Sequence, residues 1–203
     1  MSEGQPMQFV PTLPPEEVAR ANFYGVMARL FFAPPDEALL ATLAGTAEVE
    51  AEEGDFAGAW QALAQAAGQA DPEAVREEFD TAFVGTGKAP VSLYTTAYTI
   101  KYTNEVPLVA LRSTLAELGL GRREGVHEPE DHIAALCDVM RHLIAEQKRS
   151  LEEQRAFFER WIWPAVQPLC AAIETAGETS FYKHVARVLF HLCTIEHRAF
   201  EML

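Results

Sequence analysis

Basic residues are scarce in this chain. Its 203 residues include 30 Asp and Glu but only 16 Lys and Arg, which gives a formal charge of −14. The segment from Asp36 to Asp80 contains a single basic residue, Arg76, and carries −11 of that charge. Such a field repels nucleic-acid phosphates and anionic lipid and attracts cationic partners. We therefore expect no nucleic-acid partner, although the acidic segment also fits a plain solvated face.

Cysteine is also scarce, and long apolar runs are absent. Cys137, Cys170 and Cys193 are widely spaced, lie in apolar helical patterns and form no C-x-x-C pair. This predicts buried, reduced thiols rather than disulfides or a cysteine zinc site. No apolar run approaches the ~18 residues of a membrane span. The opening stretch "MSEGQPMQFVPTLPPEE" lacks the basic and apolar regions of a secretory signal. We expect a cytoplasmic protein without an integral membrane segment.

Strand patterns are rare, because nearly every segment has the apolar periodicity of a helix. Asp36 and Asp71 stand where helix caps are expected, and Pro72 suits a first helical position. Pro164 and Pro168 predict a kink or break near Trp163. The predicted fold is all-α, a single compact helical domain of roughly eight to ten helices.

One stretch interrupts the helical pattern. Residues 85–107, "GTGKAPVSLYTTAYTIKYTNEVP", are rich in glycine, tyrosine and β-branched residues, which are poor helix formers. They predict either a strand pair or an aromatic-rich loop with a short helix. We interpret this stretch as the connection between an N-terminal half, residues 1–84, and a C-terminal half, residues 108–203.

The densest group of ionisable residues lies at 127–135, "HEPEDHIAA". Pro129 suits a first helical position, with Glu130 and Asp131 in the positively polarised first turn. In the simplest interpretation, Glu128 and Asp131 cap this helix while His132 satisfies a buried backbone group. Capping explains Asp131 but not the number of ionisable groups around it.

Three functional interpretations of this group differ in their geometry. A metal site would use His127 and His132, but they are five residues apart and lack the i, i+3 or i, i+4 spacing of helical ligands. Catalysis is disfavoured because Asp131 and His132 are sequential and point about 100° apart on a helix. Recognition fits better, since a carboxylate beside an imidazole and near tyrosines suits a cationic peptide.

The stretch "EPEDHIAALCDVM" resembles the E-P-x-D-H-x-x-x-x-L signature of the TorD/DmsD-like redox-enzyme maturation chaperones, part of the NarJ/TorD superfamily. The resemblance rests on Glu128, Pro129, Asp131 and His132. Weaker likenesses follow the same order along the chain, in "RANFYGVMARLFFAPPDEALL", "FDTAFVGTGKAPVSLYTTAY" and "FFERWIWPAV". The loop "SLYTTAY" lacks the acid usual in the family, and Arg160 stands where a histidine is frequent. These departures suggest a divergent subgroup with its own client.

The resemblance implies an all-helical cytoplasmic chaperone rather than an enzyme. Such a chaperone binds the twin-arginine signal peptide of a molybdopterin-containing oxidoreductase catalytic subunit and holds it until its cofactor is inserted. The resemblance assigns no cofactor or metal to the chain itself, and a homodimer is compatible with it. The expected peptide site combines carboxylates for the arginines, an ordering imidazole and an aromatic lining; its residues are Tyr94, Tyr98, Glu128, Pro129, Asp131, His132 and Trp161.

Two alternatives from other classes stay open at this point. One is an acidic helical adaptor that uses the charges of residues 36–80 to bind a basic protein unrelated to export. The other is a small-molecule or metal-dependent enzyme built on His127 and His132.

Overall fold

The computed structural model of the protein describes residues 13–46, 54–85, 87–100, 106–122, 125 and 128–203. This part of the chain is all-α, as predicted, and contains no strand. None of its helices is both long and apolar enough to cross a membrane. The ten α-helices are α1 (Pro15–Phe32), α2 (Glu37–Ala44), α3 (Asp55–Gln69), α4 (Pro72–Phe79), α5 (Thr96–Thr99), α6 (Pro107–Glu117), α7 (Ile133–Ala145), α8 (Leu151–Trp161), α9 (Trp163–Thr175) and α10 (Phe181–Glu201).

Side-chain caps set several of the helix starts. Asp36 Oδ1 accepts a hydrogen bond from the backbone N–H of Leu39 at 2.8 Å, so α2 begins where its cap predicts. Asp71 caps α4 in the same way, and Pro72 occupies its first position. These interactions satisfy N–H groups that have no partner within the helix.

Helices α1 and α7 pack against one another, while α10 contacts both α3 and α9. Their apolar faces join in one core that contains Tyr24 and Met27 of α1. All three cysteines are free and buried in that core, which confirms the prediction of reduced thiols. Burial raises the pKa of each thiol, to about 12 for Cys170, so the groups are neutral.

The predicted break near Trp163 is confirmed. Helix α8 ends at Trp161, Ile162 lies between the two helices, and α9 begins at Trp163 with Pro164 in its first turn. A proline in a first turn is tolerated because its missing N–H has no intrahelical partner there. The second proline, Pro168, lies inside α9.

After α4 the chain makes a π-helical turn over Asp80–Val84 and reverses at Gly85, whose φ is +63°. A Cβ at Gly85 would lie 3.1 Å from the Cα of Ala89, so both the conformation and the close approach favour glycine. Of the two predictions for residues 85–107, the strand pair is wrong for the described part, which forms a loop with the short helix α5. Residues 101–105 lie outside the described part. The division of the domain into two halves stays a prediction.

Candidate functional site

The loop before α5 is held against the start of α7 by backbone hydrogen bonds. Tyr94 and His132 form an isolated antiparallel β-bridge. The N–H of Thr95 donates to the carbonyl of Asp131 at 2.9 Å, and the N–H of Ile133 donates to the carbonyl of Leu93 at 2.9 Å. The aromatic loop and the "EPEDH" stretch therefore form one unit, although about 37 residues separate them.

Asp131 lies inside this unit rather than on its surface. Its side chain is only 2% exposed, and Thr96 donates a hydrogen bond from Oγ1 to its Oδ2 at 2.5 Å. The other oxygen, Oδ1, is buried without a hydrogen-bond partner. Asp131 thus ties α5 to the start of α7, and its carboxylate keeps one buried oxygen unsatisfied.

His132 is the residue that caps α7. Its Nδ1 accepts a hydrogen bond from the N–H of Ala134 at 3.2 Å, and the helix begins at Ile133. The prediction of a helix start at Pro129, capped by Glu128 or Asp131, is therefore wrong. The reason is the bridge to Tyr94, because it holds the backbone of His132 extended, at φ −63° and ψ 132°.

The surroundings of His132 favour its neutral form. Burial lowers the pKa of the imidazole, and the charges of Glu128 and Asp131 oppose that shift only in part. The ring of Tyr94 meets the imidazole edge to face, with 5.3 Å between the ring centroids. A neutral ring with Nδ1 as acceptor is also what the cap requires.

Tyr94 connects this unit to Glu128. Its phenol Oη donates to Oε2 of Glu128 at 2.6 Å, and this hydrogen bond, with burial and the carboxylate charge, raises the pKa of Tyr94 to about 12. The Glu128 side chain is otherwise exposed. The bond therefore orients a carboxylate that faces outward.

An open groove of about 520 Å³ lies between α1, α6 and α7, beside this unit. The side chain of Phe32, at the end of α1, is 64% exposed at the groove, which leaves a large ring open to a ligand. Its apolar lining includes Leu115 and Val139, and its rim carries charges of both signs. The lining residues are Gly25, Ala28, Arg29, Phe32, Leu115, Leu120, Gly121, Arg122, Glu128, Pro129, Glu130, His132, Ala134, Ala135, Asp138 and Val139.

The carboxylate of Glu130 is already paired. Nε of Arg112, on α6, donates to both of its oxygens at 3.1 Å, and Nη2 lies 3.0 Å from Oε2. The pKa of Glu130 is lowered, mainly by this hydrogen bond, with smaller contributions from the charges of Arg112 and Arg122. Glu130 thus faces the groove as a carboxylate with an arginine of the same chain on it.

The structure brings together only part of the predicted site. Glu128, Pro129 and His132 line the groove, and Tyr94 contacts it through Glu128. Asp131 lies behind them. For all of these residues, a contact with a peptide stays a prediction.

The other two predicted residues lie away from the groove. Tyr98 donates from its Oη to the carbonyl of Ser92 at 2.8 Å, and its short helix α5 packs against α9. Trp161 is 7% exposed, and its Nε1–H is buried without a partner. Neither is among the residues that line the groove. Their role in peptide binding also stays a prediction.

Sequence reasoning missed Phe32, which lines the groove, and Arg112, which binds the groove residue Glu130. Phe32 has a weak signal in the sequence, because it is the second of two adjacent phenylalanines, and adjacent side chains point about 100° apart on a helix. Arg112 has none, since its contact with Glu130 depends on how α6 packs beside the loop.

Metal-binding groups do not assemble in the described ranges. No three His, Cys, Asp or Glu side chains there converge in a way that could hold a metal ion. His127, the second histidine of the proposed metal alternative, lies outside those ranges.

A second cavity, of about 380 Å³, lies between α1, α3 and the end of α10 and is almost wholly apolar. It includes Phe56 and Ile195, and its charged residues are Glu17, Arg20 and Glu196, of which Arg20 is bound to the other two. The groove beside α7 is the larger of these two cavities and combines an apolar lining with the exposed side chain of Glu128. It is therefore the candidate functional site.

The fold and the groove together define an all-helical protein with an open candidate binding surface rimmed by charged residues. Comparison with protein families makes this specific: the family described as nitrate reductase delta subunit matches residues 50–171, more than half of the chain. The chain belongs to this family, whose members are chaperones for the maturation of redox enzymes. A search of curated proteins found no match. The family confirms the predicted NarJ/TorD superfamily, while the TorD/DmsD-like subtype stays a prediction.

Proposed function

We propose that this chaperone acts in the cytoplasm and binds the twin-arginine signal peptide of a molybdopterin-containing oxidoreductase catalytic subunit. By holding that peptide it assists maturation of the client before export. The observation that carries the proposal is the groove between α1, α6 and α7, which joins the exposed ring of Phe32 to the exposed side chain of Glu128 and the paired carboxylate of Glu130.

The groove matches the chemistry of such a peptide in two parts. A twin-arginine leader has two guanidinium groups, which bind carboxylates through paired N–H donors. Glu128 and Glu130 are the carboxylates that stand on either side of Pro129 at the groove. The apolar part of the leader has Phe32 and Val139 to bury against, and aromatic contacts of this kind dominate many interfaces.

Burial gives the other predicted residues a supporting role in this proposal. His132 caps α7 and contacts the ring of Tyr94, so it sets the position of Glu128. Asp131 anchors α5 through Thr96. Tyr98 and Trp161 do not line the groove, so the proposal gives them no direct contact with a peptide bound there.

Calorimetry with a synthetic peptide tests the proposal. The peptide carries two adjacent arginines followed by an apolar stretch. We expect Phe32→Ser and Glu128→Gln each to weaken binding about tenfold, which is ~1.4 kcal/mol at 25 °C. Val84→Ser is the matched control, because Val84 is also a large exposed apolar residue, 58% exposed, and lies outside the groove. Equal affinity in all three variants would reject the groove as the site.

Two further peptides separate the proposal from a general acidic adaptor. In one, both arginines are replaced by glutamine; in the other, the same charge is carried by lysines placed apart. Binding that depends on total charge and is indifferent to the arginine pair would favour the adaptor, since a non-specific electrostatic attraction does not distinguish them.

A further inference from the structure

We propose that Arg112 is a built-in competitor: its guanidinium occupies Glu130 in the free chaperone and has to leave before an arginine of a ligand can bind there. This inference rests on the proposed function, because it concerns how the same groove accepts a guanidinium group. It adds a residue that sets the affinity of the groove from outside its lining.

The geometry of the pair is that of an arginine bound to a carboxylate by its edge. The Nε of Arg112 lies 3.1 Å from both oxygens of Glu130, and Nη2 lies 3.0 Å from Oε2. A second guanidinium cannot take the same face of the carboxylate while this one is present. A ligand arginine at Glu130 therefore replaces Arg112 rather than joining it.

The side chains of Arg112 and Glu130 differ in exposure, as expected if Arg112 can leave while Glu130 stays in place. Glu130 is held in place, with 11% of its side chain exposed, whereas 53% of the Arg112 side chain is exposed. Arg112 also lies one helical turn before Leu115, a groove residue, so its side chain starts from the edge of the groove. It can swing toward solvent without disturbing the core.

The charges around Glu130 strengthen the argument. Arg122 lines the groove, and its charge also lowers the pKa of Glu130. With two arginines of the same chain near its carboxylate, Glu130 offers little attraction for a third. Removal of Arg112 leaves Glu130 with spare negative charge that faces the groove.

The expected size of the competition follows from the strength of an exposed ion pair. Such a pair is weak and would close the site for roughly 80% of the time. A site closed for that share of the time binds its ligand about fivefold more weakly than the same site held open. We therefore expect Arg112→Gln to bind the twin-arginine peptide about fivefold more tightly than the unchanged protein. Arg112→Lys, which keeps the charge but loses the planar fork, should give a smaller gain.

Arg187 provides the matched control. It pairs with Glu174 through Nε and Nη2, at 2.6 and 3.1 Å, and 50% of its side chain is exposed, but it lies on α10 outside the groove. Arg187→Gln makes the same change in net charge as Arg112→Gln. It should leave the affinity unchanged, which excludes a general effect of charge.

Calorimetry with the twin-arginine peptide on the full chain tests the inference, with thermal unfolding of each variant measured alongside. The gain from Arg112→Gln should disappear when Glu130→Gln is also present. If the unchanged protein binds the peptide and Arg112→Gln binds it equally or more weakly, the inference is overturned while the proposed function stands. If neither protein binds the peptide, the proposed function is overturned and the inference with it.

Discussion

The imidazole of His132 accepts a hydrogen bond at Nδ1 from the N–H of Ala134, so only the neutral ring can serve as the cap of α7. Protonation would set an N–H against an N–H. Burial lowers the pKa of His132 in the folded protein below its ordinary value of about 6.5. The folded chain therefore binds fewer protons than the unfolded chain over the range between the two pKa values.

This difference predicts a pH dependence of stability. Because the unfolded state binds more protons there, the free energy of unfolding should fall as the pH is lowered from 7.5 to 5.5. His132→Asn keeps a good cap that does not titrate, so its stability should vary less over the same range. Urea unfolding at both pH values measures this.

His184 remains in both proteins and leaves a residual slope, because burial lowers its pKa too. If the free energy of unfolding changes equally with pH in His132→Asn and in the unchanged protein, the assignment of His132 as the cap is contradicted.

At the scale of elements, the start of α10 depends on a residue from α4. Glu78 accepts hydrogen bonds from the N–H groups of Ser180, Phe181 and Tyr182, at 2.9, 3.0 and 2.7 Å. Three N–H groups without a helical partner are thus satisfied by one carboxylate from about 100 residues earlier, at the positive end of the helix. The contact fixes the longest helix of the described chain to the acidic N-terminal region.

We expect Glu78→Ala to lower the free energy of unfolding by about 1–2 kcal/mol, the usual range for the loss of a helix cap. Glu77→Ala is the matched control, because it removes the same charge from the neighbouring, exposed position on α4. Chemical denaturation measures both. A loss of the same size in the two variants would show that net charge, rather than the cap, is responsible.

Helix starts of this kind show where sequence reasoning succeeds. Asp36 and Asp71 cap the helix that directly follows them, so local pattern was enough to predict them. The start of α7 was predicted four residues too early, because a contact with the distant Tyr94 keeps His132 extended. Local rules cannot include a partner that only the fold supplies.

On the scale of the whole molecule, a cluster of buried polar groups joins three helices. Arg20 of α1 donates to both oxygens of Glu196 on α10, each at 2.7 Å, and to Gln154 of α8 at 3.1 Å. Tyr24 Oη also lies 3.3 Å from Glu196. Burial alone would lower the pKa of Arg20, but the hydrogen bond and charge of Glu196 raise it above its ordinary value. The charges of Arg20 and Glu196 therefore compensate one another inside the protein.

Glu196→Ala should be strongly destabilising, by about 3 kcal/mol, because it leaves a mostly buried guanidinium with only Glu17 as a charged partner. Glu201→Ala, in the exposed last turn of the same helix, should stay within about 0.5 kcal/mol. Thermal unfolding compares the two. If Glu196→Ala and the unchanged protein have the same melting temperature, the Arg20–Glu196 pair makes no net contribution to stability.

In the candidate site, too, local sequence patterns could be predicted and tertiary contacts could not. The sequence placed Glu128, Pro129 and His132 in one polar stretch, and these residues do line the groove. It could not predict that Asp131 turns inward to Thr96, or that Arg112 comes from another helix to Glu130. Both contacts depend on tertiary packing, and a short sequence motif carries no information about that packing.

The bridge between Tyr94 and His132 has a consequence for the timing of activity during synthesis. The loop around Tyr94 leaves the ribosome well before the segment around His132, and until that segment arrives the loop has no backbone partner. An unfinished chain therefore cannot present Glu128 in its final orientation. The lining of the groove extends to Val139, so the groove is complete only once the polypeptide has grown past that residue.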